Sequence, residues 1–64
     1  MHYEGISFFV RFYIVEITAP QMGIKDSYEV YAKSSVTAIN RVLKEQAEKY
    51  QYLSSFDVSV FLVD

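Results

Sequence analysis

The side chains able to do chemistry are few in this chain and far apart. His2 is the single imidazole, and none of the 64 residues is cysteine. A Ser/His/Asp or Cys/His relay would therefore have to be built on His2, yet such a relay needs its base held rigidly within hydrogen-bond reach of the nucleophile. His2 stands at a terminus expected to fray, outside every element the sequence predicts. Two carboxylates, Glu29 and Asp57, are the remaining acid–base candidates, because both fall on outward positions of predicted strands. In the sheet order derived below they lie on opposite edge strands with Arg11 or Tyr13 between them. That arrangement reads as isolated charge keeping the edges soluble. Gly5 and Gly23 are too separate to cradle a phosphate. The expectation is no catalytic residue, no metal, no cofactor and no enzyme.

Composition points elsewhere. The chain is 52% hydrophobic and 17% aromatic, with six Tyr and five Phe, too apolar for a disordered segment. Tyr and Phe serve interfaces as readily as cores. A net charge of -2 offers no basic footprint to a phosphate backbone. The eight carboxylates are scattered rather than run together, which argues against a DNA mimic. A chain this short sits near the lower limit for a self-sufficient core, and small domains lean on disulfides, a metal or oligomerisation. With no cysteine and one terminal histidine, oligomerisation is the remedy left. The apolar run from Phe8 to Ile17 is interrupted by Arg11 and Glu16, carries no secretory pattern and is too short to span a bilayer. Together with the missing cysteines this predicts a cytoplasmic location without membrane contact.

The elements follow from periodicity. Ile6 to Ile17 is β-branched and aromatic, the composition of a strand. Taken at period two, Ile6, Phe8, Val10, Phe12 and Ile14 are assigned to the core, and Ser7, Phe9, Arg11, Tyr13, Val15 and Ile17 to the opposite face. Thr18 to Asp26 contains Pro20 and Gly23 and reads as a long hairpin connection. Tyr28 to Lys33 is a second strand, with Tyr28, Val30 and Ala32 inward and Glu29, Tyr31 and Lys33 outward. Ser34 is the expected helix N-cap, with Ser35 competing. From Ser35 to Tyr50 the period becomes helical: Val36, Ile39, Leu43, Ala47 and Tyr50 form a stripe flanked by Val42. The back of this helix carries Thr37, Arg41, Lys44, Glu45 and Glu48. There Arg41–Glu45, Lys44–Glu48 and Glu45–Lys49 can pair, as a solvated face does. Gln51 to Ser55 connects, with Leu53 tucked under the helix end. Phe56 to Val63 is the last strand, with Phe56, Val58, Val60 and Leu62 pointing one way and Asp57, Ser59, Phe61 and Val63 the other.

The predicted fold is a single α+β domain over residues 1–64, β-β-α-β, with a mostly antiparallel three-stranded sheet. The longest strand is central, giving order 2-1-3 with a right-handed crossover. One helix covers one face. The other face would gather Phe9, Arg11, Tyr13, Val15 and Ile17 from strand one, Tyr31 from strand two, and Phe61 and Val63 from strand three. Contiguous apolar patches of that size are rare on soluble monomers. An identical subunit could close it, a foreign protein could dock on it, or single-stranded bases could stack on Phe9, Tyr13 and Tyr31. The acidic balance and lone Arg11 weigh against nucleic acid.

The segment Tyr28-Glu-Val-Tyr-Ala-Lys-Ser-Ser-Val-Thr-Ala-Ile39, a strand ending in Ala-x-Ser and a helix opening x-x-Ala-Ile, is similar to short phage-encoded proteins. The strand-strand-helix-strand order and size resemble the Bacillus-phage inhibitors of uracil-DNA glycosylase and certain small anti-CRISPR proteins. The resemblance covers arrangement over most of the chain and residues only in that passage, which is structural, so no functional residue carries over. It implies a phage-type inhibitor acting in the host cytoplasm as a dimer that occludes a host protein. The sequence reading is thus a non-enzymatic interaction module, a homodimer that binds and inhibits or modulates another protein. Phe9, Arg11, Tyr13, Val15, Tyr31, Phe61 and Val63 form its contact surface, and the alternative is a single-stranded nucleic-acid binder.

Overall fold

A computed structural model describes residues 10–63. His2, Gly5, Ile6, Ser7, Phe8 and Phe9 therefore lie outside the described residues. Strand β1 (Arg11–Ala19) runs into a short 3-10 turn (Pro20–Met22) and returns as β2 (Ile24–Ala32). Helix α1 (Ser35–Glu45), a one-turn helix α2 (Ala47–Tyr50) and strand β3 (Asp57–Leu62) complete the chain. The sheet has three strands in the order β2-β1-β3. Both neighbours are antiparallel to β1, so β2 and β3 run parallel to each other. This is the predicted α+β arrangement.

The hairpin is tighter than the expected Thr18-to-Asp26 connection. Pro20 supplies the fixed φ that starts the 3-10 turn, and Gly23 closes it at φ 69, donating its N–H to the Pro20 carbonyl at 3.0 Å. Ala19 pairs directly with Ile24, so Lys25, Asp26 and Ser27 belong to β2 rather than to a loop.

β1 faces the opposite way from the expectation. Tyr13, Val15, Ile17 and Ala19 are buried, while Phe12, Ile14, Glu16 and Thr18 are half-exposed. The reason lies at the strand's far end. From Tyr13 on to Ala19 the odd set is apolar, whereas the even set runs from Phe12 and Ile14 into Glu16 and Thr18. Because alternate residues must share a face, burying Phe12 would bury the Glu16 carboxylate. The register agrees: Tyr13, Val15 and Ile17 lie between Val30, Tyr28 and Asp26 of β2 and Leu62, Val60 and Val58 of β3. The inward assignments of Val30 and Ala32 on β2 hold, and Phe56, Val58 and Val60 pack against the core.

Ser34 caps α1 as expected, extended at φ -149 and ψ 165, its Oγ accepting the Thr37 N–H at 3.2 Å. The helix is rolled relative to the predicted stripe. Ala38 and Val42 are buried, Ile39 and Leu43 half-buried, and Val36 is 64% exposed. A methyl side chain at Ala38 lets the helix approach the sheet closely. The helical spacing of Val36, Ile39 and Leu43 predicts an apolar stripe equally well but says nothing about that approach. At Gln46 the backbone leaves helical geometry (φ -106, ψ 21), and past this break Tyr50 is buried while Ala47 is exposed. Neither Gly nor Pro marks the break in the sequence.

Two substitutions separate this core from the predicted one. Ile17 is fully buried at the centre of β1, so Ile17→Ala should cost about 2–5 kcal/mol in a urea melt, as large-to-small core changes do. Val36→Ala should stay within about 0.5 kcal/mol of wild type, as exposed sites do. A reversed ranking would mean that α1 and β1 are both turned the wrong way.

Candidate protein-docking surface

The face of the sheet turned away from the helices is organised in cross-strand rows, since paired residues share a side. The first row is Tyr31, Phe12 and Val63, in which the Val63 N–H bonds the Phe12 carbonyl at 2.9 Å. The second is Glu29, Ile14 and Phe61; the third Ser27, Glu16 and Ser59; the fourth Lys25, Thr18 and Asp57. The face therefore grades from an aromatic end to a polar end. At the aromatic end the Phe12 and Tyr31 rings lie 4.9 Å apart, tilted by 30°, a separation at which aromatic pairs attract. Tyr31 is 64% exposed, Phe61 52% and Val63 51%, and Val10 is exposed where the chain enters β1.

The predicted contact residues divide accordingly. Tyr31, Phe61 and Val63 come together on the open face, and Phe9 lies outside the described residues. Tyr13 and Val15, with Ile17, are core residues beneath the helix and cannot touch a partner there. Arg11 is exposed but pairs with Ala32, on the helix side of the sheet. Phe12 and Ile14 take the places expected for Tyr13 and Val15. Their signal was the amphipathic run from Phe12 to Thr18, legible once the strand is extended to its true end.

The polar groups do not assemble a catalytic centre. Glu29 and Asp57 occupy opposite edge strands, two strand spacings and four residues apart, or roughly 16 Å. Ile14 and Glu16 stand between them rather than Arg11 or Tyr13. Among the described residues no three His, Cys, Asp or Glu side chains converge as metal ligands. A shallow hollow beside Thr37, Asn40, Arg41, Lys44 and Glu45 is walled by one helix alone, too open to enclose a ligand. No helix among the described residues is long and apolar enough to cross a membrane.

One polar cluster reaches from the buried Tyr50 to the surface at Lys49, and the sequence reading missed it. The Tyr50 hydroxyl donates to Asp26 Oδ2 at 2.6 Å and meets the Tyr28 hydroxyl at 2.5 Å. With the Tyr50 proton committed to Asp26, Tyr28 is the donor to Tyr50. Lys49 Nζ closes the chain, 3.1 Å from Asp26 Oδ2. The Tyr50 ring also packs edge-on against Tyr28 and tilted against Phe56, with centroids at 6.5 and 5.8 Å. The effect of the cluster is to latch α2 to β2. Tyr50 and Lys49 hydrogen bonds hold the Asp26 carboxyl below its ordinary 3.8. Burial first, then the bonds to Asp26 and Tyr28, push the Tyr50 phenol well above its ordinary 10.0. Asp26 in turn raises the Lys49 ammonium above 10.5.

Comparison with family models, curated proteins and solved structures returned no match to this chain. What the fold and surface define is a class: an α+β domain with one helical layer and a partly aromatic sheet face that no described element covers.

The latch has a pH signature. Asp26 is depressed on folding, so its contribution is complete above the ordinary carboxylate range and lost as pH falls through its folded value. Tyr50 and Lys49 are raised, so theirs are complete below their ordinary values and lost as pH rises beyond them. Urea midpoints should form a plateau between these limits. Asp26→Asn should flatten the acid limb, and Tyr50→Phe should shrink the alkaline one. Wild-type limbs in both variants would show that the latch contributes nothing to stability.

Proposed function

We infer that this chain is a non-enzymatic interaction module that works as a homodimer and docks another protein on the open face of its sheet. The observation that carries the reading is the pair of rows Tyr31–Phe12–Val63 and Glu29–Ile14–Phe61, left uncovered by any described element. Stable domains cover such surface or use it. Each ring removed from water there is worth up to about 1.5–3 kcal/mol, enough in combination to offset the cost of association. Within the paired rows, three carboxylates, Glu16, Glu29 and Asp57, share the face with one ammonium, Lys25. The partner chemistry that fits is an apolar centre with basic residues around it. The same balance opposes a phosphate backbone, which keeps base stacking as the lesser reading. An inhibitory role in a host cytoplasm rests on the phage-type resemblance of Tyr28 to Ile39.

The test is a photo-cross-linking amino acid placed at Tyr31 and, as control, at Tyr52, which is 87% exposed outside the face. In cells making the protein, position 31 should capture one foreign protein that position 52 does not. Phe61→Glu should abolish that capture, because a charge would then face the partner's apolar centre. Equal capture at both positions, or capture only of a second copy, would sink the docking reading. Salt-sensitive binding of a generic single-stranded oligonucleotide would establish the stacking alternative instead.

A further inference from the structure

The two edges of the sheet are defended unequally. Along β2, Lys25 and Glu29 project beside the edge, and the Arg41 guanidinium donates to the Tyr31 carbonyl. Charges and capped carbonyls are the usual means of stopping one edge strand from pairing with another. β3 carries neither. From Val58 to Val63 it reads Val-Ser-Val-Phe-Leu-Val, without charge, proline or glycine, the composition of a segment that accepts a further strand. Its hydrogen-bonding phase follows from Val63, whose N–H points at Phe12 of β1. By alternation Val58, Val60 and Leu62 turn their N–H and C=O groups outward, where no described group meets them. Leu62 adds a second sign. It pairs with Tyr13 on the helix side of the sheet, yet it is 53% exposed.

We propose that the outer edge of β3 is a self-association site, at which two copies pair antiparallel about a two-fold axis through Val60. This rests on the homodimer reading above and names the surface that makes it. In that register Val60 of one copy faces Val60 of the other, and Val58 faces Leu62. All three outward residues thus become hydrogen-bonded pairs with one another. The half-exposed Leu62 gains an apolar neighbour on the helix side, and Ser59 lies beside Phe61 on the open side. Asp57 falls opposite Val63 of the other copy, so the two Asp57 carboxylates stay apart. The contact is isologous and closes at two copies. Addition of β3 to the β2 edge of another copy, which would grow without end, meets the Arg41-capped carbonyl and the β2 charges. The two open faces become continuous across the joint, doubling the docking surface.

Sedimentation combined with amide hydrogen exchange tests the proposal on the intact protein. The wild type should be dimeric at micromolar concentration, with the Val58, Val60 and Leu62 amides protected and that protection lost on dilution. Val60→Pro deletes an outward N–H and no bond to β1, a change edge strands tolerate. It should yield a monomer whose β1 amides remain protected. A monomeric wild type, a dimer in which those three amides exchange freely, or a dimeric Val60→Pro protein would each overturn the edge pairing. If Val60→Pro does not fold, the wild-type exchange pattern alone decides between edge and face. Capture of a foreign protein through Tyr31 by a monomeric chain would sink the edge site and leave the docking face standing.

Discussion

Everything in this domain hangs on β1, the one strand with a neighbour on each side and a helix above it. Its odd residues, Tyr13, Val15 and Ile17, are enclosed by β2, β3 and the helices together, and Val15 and Ile17 lose all contact with solvent. A side-chain period of two leaves β1 one binary choice. Once Ile17 and Ala19 are inside, Glu16 and Thr18 are outside, and Phe12 and Ile14 must go with them. The aromatic end of the open face is therefore a consequence of protecting the far end of the strand from a buried carboxylate.

The helical layer is pinned by different means at its two ends. At the start, the Ser34 cap and the small Ala38 bring α1 down on the sheet. At the finish, hydrophobic packing is supplemented by the Tyr28–Tyr50–Asp26–Lys49 chain, in which a buried phenol finds both a donor and an acceptor. A buried hydroxyl without partners is expensive, so the break at Gln46 that delivers Tyr50 to Asp26 is coupled to the placement of Asp26 within β2. That placement depends in turn on the tight Pro20–Gly23 turn, which carries β2 back as far as Ile24.

One helical layer on three strands leaves a face and two edges to be managed. β2 is closed off by charge and by Arg41, whose guanidinium reaches down from the helix to a strand carbonyl. The open face is closed off only in part. Its third and fourth rows are polar, while its first two carry rings and branched aliphatics that nothing described covers. The polarity gradient gives the face a direction, so a partner would meet hydrophobic surface at one end and carboxylates at the other.

Much of this was written in local pattern. Strand composition, the Ser34 cap, the change of period at Ser35 and the need for a central first strand determined the element order and the sheet order 2-1-3, because each depends on neighbours in sequence. The outward positions of Tyr31, Phe61 and Val63 were legible for the same reason, β2 and β3 each having one clearly apolar side. Three things were decided only by the tertiary structure. The facing of β1 was ambiguous because both of its sides are apolar over Phe12 to Val15, and register with two partners broke the tie. The roll of α1 depended on how closely Ala38 could approach the sheet, a packing distance that helical spacing does not encode. The latch joins residues more than twenty positions apart, and Asp26 looked like part of a loop until the turn proved short. Periodicity reports which residues share a side; which side is buried is settled by the surfaces that meet.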